Sequence, residues 1–328
     1  MAPAIARCLL IVATLTMATG VLSLASAWVF YQDDRLRSHS TMVGTLEIDL
    51  PEGRGLSTAV LVDGCGILTN FHAVFGPWYV TALRAPSREA PGRFTLTEAT
   101  GPDGTHPSAR AIPVVWGDYR GPDRQLRTPQ HDWAYLVLDQ CLGLDYGYFQ
   151  LRSPELDESA GGFAALGYST GQQMIDPACS IQADRSRGGS LRWLHDCALR
   201  AGESGGPIIR RGTMAVVALG AGMVADPADP RCNARSAAEP RHWSPRCANV
   251  AVPLTPDLIE RVSAARVATG VQRALLALGY DAGALGAVDE PAVIAAIRQV
   301  QHEMGWSETG APSDALRKIL FLRLKLVG

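Results

Sequence analysis

The sequence predicts a mostly β domain followed by a small helical module. Between residues 41 and 255 the apolar runs are short and are broken by glycine and proline, which number 33 and 21 in a chain of 328 residues. Turn-rich β chains use those two residues in this way. The runs themselves have the length and β-branched content of strands. Past Thr255 the apolar spacing shifts to the helical period and keeps it to the end. With 47% hydrophobic and 19% charged residues, the chain can bury a sizeable core. A net charge of −2 offers no basic face, so no nucleic-acid partner is expected.

The first element is a leader. Arg7 precedes an apolar run over residues 8–30, and Ala25-Ser26-Ala27 is a small-residue cleavage pattern. Residues 1–27 are therefore expected to be a signal peptide. Uncleaved, the same run is long enough to cross a bilayer and would be a membrane anchor. Both outcomes take the rest of the chain out of the cytoplasm, to a periplasmic or secreted location.

Cysteine usage agrees. Of seven cysteines, Cys8 belongs to the leader, which leaves Cys65, Cys141, Cys179, Cys197, Cys232 and Cys247. Six in an exported chain suit three disulfides. Joining Cys179 to Cys197 and Cys232 to Cys247 closes short loops and leaves Cys65 with Cys141, and the sequence admits other pairings. Zinc is the rival use, but there is no CxxC pair, and neither metal nor other cofactor is expected.

The expected strands follow in order. They are TAVLVDG (58–64), GILTNFHAV (66–74), DWAYLVLD (132–139), GFAALGY (162–168) and MAVVALG (214–220). Residues 84–129 are proline-rich with little periodicity and read as surface loops. Residues 225–248 read as a second insertion, stapled by Cys232 and Cys247. At Thr255 an N-cap threonine and Pro256 open a helix that places Leu258, Ile259 and Val262 on one face. Beyond Gly270 three further helical pieces are expected. VQRALLALG ends at Gly279, residues 290–304 stack Val293, Ile294, Ile297 and Val300, and Ser313 caps SDALRKILFLRL.

One string in the β domain points to chemistry. RAGESGGPII (200–209) sets Ser204 among glycines. A serine hydroxyl is a weak nucleophile at neutral pH unless an imidazole takes its proton and a carboxylate fixes the imidazole. Glycines beside the serine allow a tight turn that aims backbone N–H groups at an oxyanion. His72 follows directly on a short apolar strand. Asp132 opens a strongly apolar one, a costly place for an unpartnered charge. Taken singly, each is as well explained as a satisfied core or turn residue. Together they occur in the order His, Asp, Ser, each at a strand edge.

TNFHAV, DWAYLVL and GESGGP resemble the histidine, aspartate and serine motifs of the trypsin-like (chymotrypsin-fold) serine proteases of the exported bacterial kind. The resemblance covers residues 41–262. It implies two six-stranded antiparallel β-barrels and a protein or peptide substrate. It also implies Ser204 as nucleophile, His72 as general base and then acid, and Asp132 as the group that orients His72. Gly202 and Ser204 would supply the oxyanion-hole N–H groups. Ala218, Leu219 and Gly220 would lie along the substrate backbone, and Ala198 would floor the specificity pocket. Ala198 stands where trypsin has an aspartate, and Val217 where glutamate-specific members have a histidine, so a small or apolar side chain is the expected preference. Glu203 replaces the family's usual aspartate.

Residues 266–328 resemble the three-helix peptidoglycan-binding module of exported wall enzymes. Gln272, Leu275, Leu278, Gly279 and Tyr280 fit its opening pattern, and Ile297, Gln301 and Gly305 its second helix. Its Asp-Gly-x-x-Gly loop is absent; LGAVDEPAV keeps only Gly286. The resemblance implies peptidoglycan as a partner and a cell-wall association, and the plain alternative is a helical domain used for packing. Two functions follow, an exported serine endopeptidase or a catalytically latent protease fold that binds through its tail.

Overall fold

The computed structural model describes residues 34–50, 53–76, 92–117, 129–154, 162–184, 192–197, 201–223 and 248–327. Residues 1–40 form a unit of their own, of which 34–40 are helical, and residues 41–328 form the other.

The second unit begins with a closed barrel. Its strands are β1 (Val43–Leu50), β2 (Gly53–Asp63), β3 (Gly66–Thr69), β4 (Gly92–Thr95), β5 (Ser108–Trp116) and β6 (Ala134–Leu138), in the order β1-β2-β3-β6-β5-β4. β1 closes it by pairing on one side with β2, Val43 opposite Val60, and on the other with β4, Leu46 opposite Phe94. Period-two alternation decides which residues face inward. Leu46, Ile48, Ala59, Leu61, Ile67, Phe94, Ala134, Leu136 and Leu138 fill one core. The intervening Trp133, Tyr135 and Val137 are equally buried, so β6 is covered on both faces. Pro113 has no N–H for the ladder, and the β5–β6 register shifts by a bulge directly after it.

The second β unit comprises β7 (Phe163–Ser169), β8 (Gln172–Cys179), β9 (Ile181–Asp184), β10 (Arg192–His195), β11 (Pro207–Arg210), β12 (Ala215–Met223) and β13 (Asn249–Pro253). It is an antiparallel sheet in the order β8-β7-β11-β12-β13-β10-β9, a half-barrel among the described residues. Its core gathers Phe163, Ile181, Trp193, Ile208, Val217 and Ala251. The two β units make the fold chymotrypsin-like. Two short helices, α1 (Phe71–Phe75) and α2 (Leu142–Tyr146), follow β3 and β6.

Disulfides join Cys65 to Cys141 and Cys179 to Cys197, at sequence separations of 76 and 18. Cys232 and Cys247 lie outside the described residues.

The tail consists of α3 (Pro256–Ala277), α4 (Pro291–Glu303) and α5 (Asp314–Val327). Thr255 caps α3 by accepting from the Leu258 N–H at 3.2 Å. Sequence reasoning divides this stretch at Gly270, with a domain boundary between 262 and 266. Instead α3 runs through both as one helix of 22 residues. An interior glycine costs a helix only about 1 kcal/mol relative to alanine. That cost is small enough for the helix to continue through Gly270, where a Cβ would stand 2.9 Å from the flexible Arg317 side chain. The helix does end at Gly279, as its glycine predicts. The Tyr280 N–H reaches back to the Leu275 carbonyl and that of Gly279 to Leu276. Val271, Leu275, Val293, Ala296, Ile297, Val300, Leu316 and Leu320 form the tail's core. Ala296 takes the buried place expected of Ile294, which is half-buried.

Candidate active site

β3 is buried along its whole length and delivers the chain to α1. Phe71 and Val74 anchor that one-turn helix inward, and His72 sits between them with its side chain 24% exposed. Asp132 precedes β6 and is buried. Its carboxylate holds His72 at two points. Oδ1 accepts from the His72 backbone N–H at 2.9 Å, and Oδ2 lies 2.7 Å from Nδ1. The Asn70 side-chain amide donates to the Asp132 carbonyl at 2.8 Å and fixes the backbone that carries the acid. Burial disfavours the imidazolium, yet the Asp132 charge and hydrogen bond outweigh it, so His72 titrates above its ordinary value. A carboxylate on Nδ1 selects the tautomer whose Nε2 carries the free lone pair.

Ser204 lies in the turn before β11. The Gly206 N–H donates to the Glu203 carbonyl at 2.8 Å and closes the turn around it. Two sides of the fold grip this turn. From the barrel, the Thr58 N–H donates to the Ser204 carbonyl at 2.9 Å and the Thr58 hydroxyl to the Gly202 carbonyl at 3.0 Å. From the sheet, the Gly205 N–H donates to the Gly220 carbonyl and the Gly220 N–H to the Gly206 carbonyl, both at 2.9 Å. The Thr69 hydroxyl in turn donates to the Thr58 carbonyl at 2.7 Å. Thr58 is thus shared by the serine turn and by the strand that leads to His72. Glycine is required at 205. Its φ is +85°, and a Cβ there would stand 2.1 Å from the Thr69 hydroxyl and 2.3 Å from the Thr58 carbonyl oxygen.

The structure therefore brings His72 and Asp132 into direct contact and fastens the Ser204 turn to β2 of the same barrel. Among the described residues Ser204 Oγ and His72 Nε2 are not hydrogen-bonded to each other. In unliganded sites that contact is often long.

Ala218, Leu219 and Gly220 are placed differently from expectation. β12 runs between β11 and β13, so Ala218 pairs with Ile208 and Pro253, and Leu219 with Pro207 and Val252. Gly220 spends both backbone groups on the serine turn. None of the three has an open edge for a substrate strand. Among the described residues β12 loses its β11 partner beyond Gly220, where a bulge separates Gly220 from Gly222. Ala198 lies outside the described residues. Val217 and Glu203 are buried.

Sequence reasoning missed Thr58, Thr69 and Asn70. TNFH contains two of them, and their adjacency to His72 is the one signal that could have found them. Among the described residues no group of three or more His, Cys, Asp or Glu is placed to hold a metal ion, and no helix is long and apolar enough to cross a membrane. Residues 1–27, the expected leader, lie outside them.

No protein-family model matches the sequence, and no curated protein matches it. Solved structures similar to it include a Glu endopeptidase in complex with MPD, 18% identical, covering 68% of this chain and 89% of that one at a TM-score of 0.46. A thermostable serine protease from an extremophilic microorganism is 14% identical, with 66% and 92% covered and a TM-score of 0.42. The protease Anisep from Arthrobacter nicotinovorans is 12% identical, with 65% and 90% covered and a TM-score of 0.41.

Proposed function

We propose that this chain is an exported serine endopeptidase that cleaves peptide bonds through an acyl-enzyme. The observation that carries the reading is the two-point hold of Asp132 on His72, beside a glycine turn that presents Ser204. The chemistry follows from those atoms. His72 Nε2 takes the Ser204 proton as Oγ attacks the carbonyl carbon, and Asp132 stabilises the resulting imidazolium. The carbonyl oxygen becomes an oxyanion received by the N–H groups of Gly202 and Ser204. The intermediate collapses, the C–N bond breaks, and His72 returns its proton to the leaving amine. Water then attacks the ester, again with His72 as base, and frees Ser204.

Export is supported by the leader and by two disulfides, which persist in oxidising compartments. The absence of an acid at Ala198 and of a histidine at Val217 supports a small or apolar residue before the cut. Cell-wall association rests on the tail's resemblance. Its Gly286 loop is held from within, since the Gln272 side chain donates to the Ala282 and Ala284 carbonyls and accepts from the Gly286 N–H at 2.9, 2.7 and 2.9 Å. Sedimentation with purified peptidoglycan tests that association, and a protein left wholly in the supernatant removes it.

Covalent labelling by a fluorophosphonate tests the core proposal. Such a probe reacts with a serine whose base and oxyanion hole are assembled. The folded, disulfide-formed protein is expected to label, and Ser204→Ala to lose the label. Equal labelling of both proteins, or none of either, sinks the proposal.

A further inference from the structure

The tail's first helix lies against the strand that follows the acid of the site. α3 meets that part of the barrel at three arginines. Arg266 Nε lies 3.2 Å from Asp63 Oδ2, and the same oxygen accepts from the Tyr135 hydroxyl at 2.8 Å. Arg273 donates to the carbonyls of Asp139, at 3.0 Å, and Leu138. Arg261 lies at the opposite end, next to the site. Its guanidinium stands 4.8 Å from the centroid of the Trp133 ring and donates to the Trp116 carbonyl at 2.8 Å. Trp133, Tyr135 and Leu138 lie along β6 or directly before it, so α3 splints that strand from end to end.

The two tryptophans that Arg261 touches, one by its ring and one by its carbonyl, each lead to one member of the pair. Trp133 is bonded in sequence to Asp132, and its carbonyl accepts from the Gly117 N–H at 2.9 Å. Trp116 packs its ring edge-on against Phe75 of α1 at 5.1 Å, and Phe75 packs on Phe71 at 4.7 Å, in the one-turn helix that carries His72. A planar guanidinium can lie over a ring and donate in its own plane at once, which an ammonium does less well. Hydrogen-bond geometry between Asp132 and His72 thus depends on the mutual placement of two segments, and one side chain touches the supports of both.

We infer that Arg261 is a positioning residue for the Asp132–His72 pair, held from the C-terminal helix rather than from either β unit. This rests on the endopeptidase reading for its consequence in catalysis, though not for its consequence on the pair itself.

The test compares full-length Arg261→Ala with Arg273→Ala, which removes the clamp at the far end of β6. The first readout is the low-field NMR signal of the His72 Nδ1 proton shared with Asp132. It reports the pair whether or not the protein turns over a substrate. Wild type and Arg273→Ala should keep the signal, and Arg261→Ala should lose it or exchange it faster with water. The second is steady-state cleavage of a peptide. Arg261→Ala should lower kcat by about tenfold or more with KM within twofold, since small misplacements of catalytic groups act on the chemical step. Arg273→Ala should leave both constants within twofold. If Arg261→Ala does not fold, Arg261→Met retains the packed stem without the donor and should show the same loss. An unchanged proton signal in a folded Arg261 variant overturns the inference. A lost signal in a protein that never cleaves peptides upholds it and overturns the endopeptidase reading instead.

Discussion

The two β units hold their parts of the site in different ways. In the closed barrel every strand has two neighbours, and β6 is buried on both faces by the core inside and α3 outside. This unit carries His72 and Asp132, whose hydrogen bond fails with small angular errors. Among the described residues the seven-stranded sheet has two open edges, at β8 and β9, and it carries Ser204 on the turn before β11. Its precision is borrowed, because the turn is fastened backbone to backbone to Thr58 of the barrel and Gly220 of the sheet. The His72–Asp132 pair thus stands on the closed unit, and the Ser204 turn is positioned in part by attachment to it.

The largest expected effect breaks the barrel's contribution without disturbing its shape. Asp132→Asn should lower kcat by about 10⁴-fold through the wrong tautomer, with an unchanged circular dichroism spectrum. Next comes the attachment. Gly205→Ala forces a methyl group onto Thr69 and Thr58 in left-handed backbone, and should lower unfolding free energy by about 3 kcal/mol or more in a denaturant titration.

The disulfides sharpen the contrast between the units. Replacing either cysteine pair by serine should destabilise by about 2–4 kcal/mol, and the Cys65–Cys141 pair by about 1 kcal/mol more than Cys179–Cys197 because it closes the longer loop. Equal losses in melting experiments would mean that native strain or residual unfolded structure outweighs loop length.

A smaller effect concerns pH. His72 must be neutral to act as base and titrates above its ordinary value, so kcat/KM should rise with pH along a limb whose midpoint lies above about 6.5. The same raised value means the Asp132–His72 pair stabilises the fold most below about pH 6.5, and that contribution is lost as pH rises through the folded value. A midpoint below 6.5 would contradict the pair. The smallest effect is expected at the β1–β2 hairpin. Arg54 is 67% exposed beside Glu47 and Asp49, and Arg54→Ala should change stability by less than about 0.5 kcal/mol.

Local information made much of this readable in the sequence. His72 and Asp132 announced themselves by standing beside apolar strands, and Thr255 and Gly279 mark their helix ends because caps are made by neighbours in the chain. What could not be read was set by distant partners. Closure of the barrel joins Leu46 to Phe94, and Arg261 finds a ring and a carbonyl far earlier in the chain. Gly270 reads as a stop by its local helix penalty, yet about 1 kcal/mol is too little to end a helix that continues to Ala277. The resemblance that sets Ala218, Leu219 and Gly220 beside a substrate does not reveal which strand edges are already occupied.

The bond between Cys65 and Cys141 makes residues 65–141 a covalent ring, and both His72 and Asp132 are on it. If the chain cuts peptide bonds as proposed, it is exposed to its own activity and to that of its neighbours. Any single cut in the ring, wherever it falls, yields a chain that still migrates as one molecule without reductant and separates into two fragments with it. His72 and Asp132 stay tethered to the same molecule after such a nick, where an unbridged chain would be divided.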